Sequence, residues 1–103
     1  MIEFELYVPV LDPGSANPAL DGLKDRLRER FGGYTYFPQE SQGEWQTGGQ
    51  RFKDRIVILR ILTDDQEAVK WFQELRRELA VALNQTDFLI TAKPVQRVEA
   101  LSD

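Results

Sequence analysis

Glu3 and Glu5 stand two residues apart, and Tyr7 follows two residues later. In an extended chain alternate side chains share a face, so these three would form a row of two acids and a phenol. With a cation fixed beside it, such a row can relay protons on a bound substrate. The cation on offer is Arg60, the charged residue inside the run Ile56, Val57, Ile58, Leu59, Arg60, Ile61, Leu62. If the two segments pair as strands, the guanidinium meets a carboxylate in a charge-assisted contact. The same four residues also make an ordinary cross-strand ion pair, which keeps a strand soluble or sets the register of an interface. The structural reading leads. The chain has no histidine and no cysteine, so the usual general base, the commonest metal ligand and the thiolate nucleophile are all missing. The catalytic alternative is thus a metal-free enzyme resting on Glu3, Glu5, Tyr7 and Arg60, and no residue pattern calls for a cofactor.

The elements that would hold these groups follow from periodicity. Ile2, Phe4, Leu6 and Val8 alternate with Glu3, Glu5, Tyr7 and Pro9, which predicts a first strand with one buried face. Residues 11–16 read as a loop. Asn17 then offers an N-cap and Pro18 a favourable first helical residue. Leu20, Leu23, Leu27 and Phe31 make one apolar stripe, and Gly32 with Gly33 ends a helix spanning Pro18–Phe31. Residues 34–37 predict a short aromatic strand stopped at Pro38, with extended structure resuming at residues 44–47 after a polar stretch. Gly48 and Gly49 suit a hairpin turn that sets Trp45 opposite Phe52. A long strand over residues 51–63 follows. Asp64 and Glu67 resemble a capping box before a second helix, which reaches about Asn84 and buries Ala68, Phe72, Leu75, Leu79 and Ala82. Residues 88–91 form a last strand, near a sheet edge because Pro94 follows closely.

This βαββαβ order favours an α+β, ferredoxin-like two-layer sandwich over residues 1–103, a single domain with an antiparallel sheet in the order 4-1-3-2 and both helices on one face. Val57, Leu59 and Ile61 would then meet the helices. Ile56, Ile58, Arg60 and Leu62 would lie on the other face beside Glu3, Glu5 and Tyr7. Leaving Ile56, Ile58 and Leu62 wet would forgo about 1.5–3 kcal/mol each relative to burial. A second copy of the chain packed on that face explains the pattern, with any small-molecule site between the two sheets. Self-coverage is the competing explanation, by residues 39–43 or by the tail that carries Val95, Val98 and Leu101.

Aromatic residues bunch at Tyr34, Tyr36, Phe37, Trp45 and Phe52, a cluster able to line a ligand pocket or anchor a protein partner. Packing of an edge hairpin accounts for them equally well. Trp71, beside Phe72, reads as a core-edge residue. Leu6, Tyr7, Val8 and Pro9 look like the first motif of RNA-recognition modules of this topology, but Val10 replaces the usual Asn. The second motif also fails across Arg51, Phe52, Lys53, Asp54 and Arg55. A net charge of −4 further opposes nucleic acid and anionic membranes as partners. Neither glycine pair continues into a phosphate-binding loop, and residues 12–17 hold too few acids for a calcium loop.

The composition, 42% hydrophobic and 29% charged, is that of a soluble globular protein. Residues 1–10 have neither the basic leader of a signal peptide nor an apolar span, so a cytoplasmic location is expected. The run Phe31, Gly32, Gly33, Tyr34, Thr35, then Gly43 and Trp45, a glycine turn and the strand at residues 55–61 resembles small bacterial proteins of an uncharacterised ferredoxin-like family. Lipoproteins of unknown function share that order of features, although a lipoprotein leader is not seen here. The resemblance covers the middle third of the chain and implies a fold, not a role. The leading expectation is a non-enzymatic homodimer that binds a small molecule or protein partner through Tyr34, Tyr36, Trp45, Phe52, Ile56, Ile58, Arg60 and Leu62.

Overall fold

Alternation at the N-terminus produces strand β1 (Ile2–Pro9), in which Phe4, Leu6 and Val8 are buried. Helix α1 (Pro18–Phe31) begins where the Asn17 side chain accepts a hydrogen bond from the Leu20 N–H at 3.1 Å. It ends at Gly32, whose φ of 84° is a left-handed conformation that glycine adopts without strain. The computed structural model describes residues 1–10, 17–82 and 89–102, and the side chains at positions 45, 47, 52, 54 and 82 lie outside that description. The expected loop and calcium-loop region at residues 11–16, Asn84 and Phe88 therefore lie outside it as well.

Strand β2 (Thr35–Thr47) is one strand rather than two short pieces. Pro38 does not end it, because β2 lies at the sheet edge, where a missing N–H costs no ladder bond. A shift of register between Phe37 and Ser41 absorbs the irregularity. Gly48 and Gly49, with φ of 59° and 78°, turn the chain into β3 (Gln50–Thr63), and Trp45 is registered opposite Phe52.

Helix α2 (Ala68–Ala82) starts differently from the sequence expectation. Its cap is Asp65, not Asp64. The Thr63 hydroxyl accepts from the Asp65 N–H at 3.0 Å, and the Asp65 carboxylate accepts from the Glu67 N–H at 2.9 Å. Asp64 is left to face the Met1 ammonium at 3.2 Å. Strand β4 (Ile90–Pro94) sits two residues later than expected, with Pro94 at its end opposite Ile2.

The four strands form one antiparallel sheet in the order β2-β3-β1-β4. Both helices pack on the face carrying Phe4, Leu6, Val8, Val57, Leu59 and Ile61. Leu20, Leu23, Leu27, Ala68, Phe72, Leu75 and Leu79 complete this core. Phe72 stacks on Phe4 at 4.3 Å and on Phe31 at 5.3 Å, with Trp71 edge-on to Phe31 at 5.1 Å. Trp71 is thus a core-edge residue, as its position in the helix stripe implies.

Pairing between β1 and β3 stops at Pro9 and Ile56. Among the described residues, the outer half of the β2–β3 hairpin therefore pairs only with itself, and it gives the molecule a long axis of 58 Å against 28 and 27 Å. Two-stranded ribbons are marginal alone, and the ion pairs along this arm, Glu44–Arg51 at 3.0 Å and Glu40–Arg55 at 3.6 Å, are solvent-exposed.

Candidate functional site

Antiparallel register decides what the uncovered face presents. Glu5 stands opposite Arg60 and Thr35 beyond it; Tyr7 stands opposite Ile58 and then Phe37; Glu3 stands between Leu62 on one side and Lys93 on the other. Residues directly opposite in a ladder share a face. The open face is therefore a charged end, Lys93–Glu3–Glu5–Arg60, running into an apolar end, Tyr7–Ile58–Phe37 with Ile56.

Glu3 is the unusual member, an acid on the open face whose side chain is only 10% exposed. Its Oε1 lies 3.2 Å from Arg60 Nε and its Oε2 lies 3.1 Å from Lys93 Nζ. Arg60 also reaches Glu5, with Nη2 at 3.7 Å from Oε1, and its guanidinium lies over the Phe37 ring at 4.8 Å. The distances are those of ion pairs, yet Glu3 Oε2 and Arg60 Nε are buried without a partner of hydrogen-bond geometry. Coulombic attraction, which needs no fixed angle, therefore holds the cluster, and its directional bonding capacity is incompletely used.

As proton-transfer machinery the group is poorly arranged. Two carboxylates face two cations, so the charges cancel. The more buried acid is wedged between both cations. As an interface element the same group is well arranged: it desolvates a carboxylate only where cations flank it, beside an apolar patch.

The structure brings together Glu3, Glu5, Tyr7, Ile56, Ile58, Arg60 and Leu62, as the alternation of β1 and β3 implied. It does not bring the aromatic residues into one cluster. Tyr34 and Tyr36 pack against the core on the helix side, and Lys24 Nζ sits 3.7 Å over the Tyr36 ring. Trp45 and Phe52 are registered opposite each other in the backbone of the arm, and their side chains lie outside the described ones. The reason is again the two-residue period: Tyr36 faces Leu59 in the core register while Phe37, its neighbour, faces Ile58 on the open side. Lys93 is missing from the site expected from sequence, and Phe37, expected within the hairpin aromatic cluster, instead joins the open face beside Arg60. Counting alternate residues along a longer last strand finds Lys93, and splitting residues 34–37 by parity places Phe37 on the open face.

Neither expected lid covers this face. Residues 39–42 belong to β2 and are exposed, while Val98 and Leu101 in the tail are 93% and 98% exposed. Leu62 is 52% exposed.

No family model matches the sequence, and a search of curated proteins gives no match. Among solved structures the chain is similar to a divalent cation tolerance protein (Cut A1) from Thermus thermophilus, with a TM-score of 0.66 and 18% identity. The match covers 96% of this chain and 88% of that chain, and at such identity it shows a shared fold alone. Among the described residues, no helix is long and apolar enough to cross a membrane.

Proposed function

We propose that this chain is a non-enzymatic, ferredoxin-like domain of the cytoplasm that forms a homodimer through its open sheet face, as a member of the uncharacterised bacterial group its middle third resembles. One observation carries the reading. Leu62 stays half-exposed and Ile56, Ile58, Tyr7 and Phe37 only partly buried on a face that neither expected lid covers. Contiguous apolar surface of this kind, rimmed by charge, marks interaction sites. Arg60 and Glu3 then set register: a partner displaced along the strands would bury one charge against apolar surface. A small ligand or protein partner, where one is bound, meets the same face at the junction of Arg60, Phe37 and Tyr7.

The structural neighbour is described as a divalent cation tolerance protein, but cation binding is not carried over to this face. Its two acids already have Arg60 and Lys93 as counter-charges, and a metal would have to displace both. The metal-free enzyme is the weaker reading for the same reason.

Solution mass tests the proposal. Wild type should run at twice the chain mass at tens of micromolar, and Ile58→Glu, which places a charge between Tyr7 and Phe37, should run as a folded monomer. A wild-type monomer at that concentration overturns it.

A further inference from the structure

Among the described residues, the chain beyond β4 buries little. Val95 still belongs to the sheet, with its N–H bonded to the Met1 carbonyl at 2.9 Å. From there residues 96–102 run without secondary structure and exposed throughout, with Val98 93% and Leu101 98% in solvent. Val95, Val98 and Leu101 recur every third residue, the spacing that places side chains on one side of an extended left-handed helix. Gln96, Arg97, Glu99 and Ser102 fill other positions. The segment therefore has the pattern of a strap with one apolar side, on which Val98 and Leu101 stand in solvent.

We infer that this strap is intermolecular: residues 95–102 of each protomer lie across the open face of the second copy, seating Val98 and Leu101 on Ile58, Phe37 and Leu62 there. The inference rests on the face-to-face dimer proposed above and names the segment that completes it. Three observations select this occupant. First, β4 runs antiparallel to β1 and carries the chain past Ile2, with Val95 still hydrogen-bonded to Met1. The segment does not return over its own face, since residues 96–102 are exposed and Val98 and Leu101 are 93% and 98% in solvent. Second, Val98 and Leu101 are 93% and 98% exposed, so a strap laid on each face adds apolar area to what the two sheet faces bury by themselves. Third, the donor and acceptor surfaces are on the same chain, so the exchange is reciprocal about a two-fold axis and closes at two copies. The strap's own charges, Arg97 and Glu99, meet a face whose charged end carries both signs at Glu3, Glu5, Arg60 and Lys93.

Because the chain contains no cysteine, engineered thiols report the contact cleanly. Val98→Cys and an affinity-tagged Ile58→Cys are refolded together and oxidised, and the disulfide-linked mixed dimer is quantified against each variant alone. Exchange predicts a mixed dimer several-fold more abundant than either self-linked species. In parallel, Val98→Glu with Leu101→Glu, at positions that carry no folding contacts, should weaken dimerisation at least ten-fold by analytical ultracentrifugation. If that double variant dimerises like wild type while Ile58→Glu is monomeric, the strap is refuted and the face-to-face dimer stands. If a chain carrying both the Val98→Cys and the Ile58→Cys substitutions links within a single monomer, or if wild type is monomeric, both are refuted.

Discussion

The two faces of one sheet differ in what they ask of their side chains. On the helix side the strands contribute Phe4, Leu6, Val8, Val57, Leu59 and Ile61, none more than 3% exposed. On the other side the same strands contribute Glu3, Glu5, Tyr7, Ile58, Arg60 and Leu62, a mixture of charges and half-buried apolar groups. A face that only has to fold can be uniformly greasy, because its helices arrive with the chain. On the proposed reading the open face has to survive in water before it meets a partner, and its ion cluster makes one end charged while the other stays apolar.

The largest expected effect tests whether the covered face carries the stability. Phe4→Ala removes a ring stacked on Phe72 and should cost about 3–5 kcal/mol in urea unfolding. Leu62→Ala, half in solvent on the opposite face, should cost under about 1.5 kcal/mol at concentrations where the protein is monomeric. Equal losses would break the comparison.

An intermediate effect sharpens it. Arg60→Ala leaves the Glu3 carboxylate nearly buried with Lys93 alone, and should destabilise by about 1–3 kcal/mol, the cost of stranding a buried polar group. Adding Glu3→Gln should recover part of that loss, since the buried charge goes with it. A double variant as unstable as the sum of its singles would show the two residues to be uncoupled.

The smallest effect lies in the helix layer. The Glu67 N–H, and then Arg30, hold the Asp65 carboxyl below its ordinary range. A depressed carboxyl pKa contributes stability above the unfolded-state value of about 3.9 and loses it as pH falls through the folded value. Asp65→Asn should therefore lower stability modestly at neutral pH, converge with wild type in acid, and so flatten the acid limb of stability against pH. An unchanged acid limb would show that this cap is not linked to folding.

Much of the fold was legible because it rests on local rules. The α1 limits followed from Asn17, Pro18 and Gly32, and the hairpin from two glycines with positive φ. Where local rules compete, the tertiary structure decides between them. Pro38 looked like a strand end because its edge position, which makes it harmless, is a property of the sheet. The cap before α2 moved to Asp65 because Thr63 captures the Asp65 N–H. The aromatic cluster failed because nearness in sequence is not nearness on a face: Tyr36 and Phe37 are adjacent and lie on opposite sides of the sheet.

By itself, then, the sequence determined the order of elements and which residues of β1 and β3 share a face, because turn chemistry and two-residue alternation act over a few bonds. Tertiary structure decided that Lys93 joins Glu3, that Phe37 lies beneath Arg60, and that the tail leaves its own open face bare. Those outcomes depend on strand register and chain direction, which are settled only when segments distant in sequence pair and compete for the same neighbours.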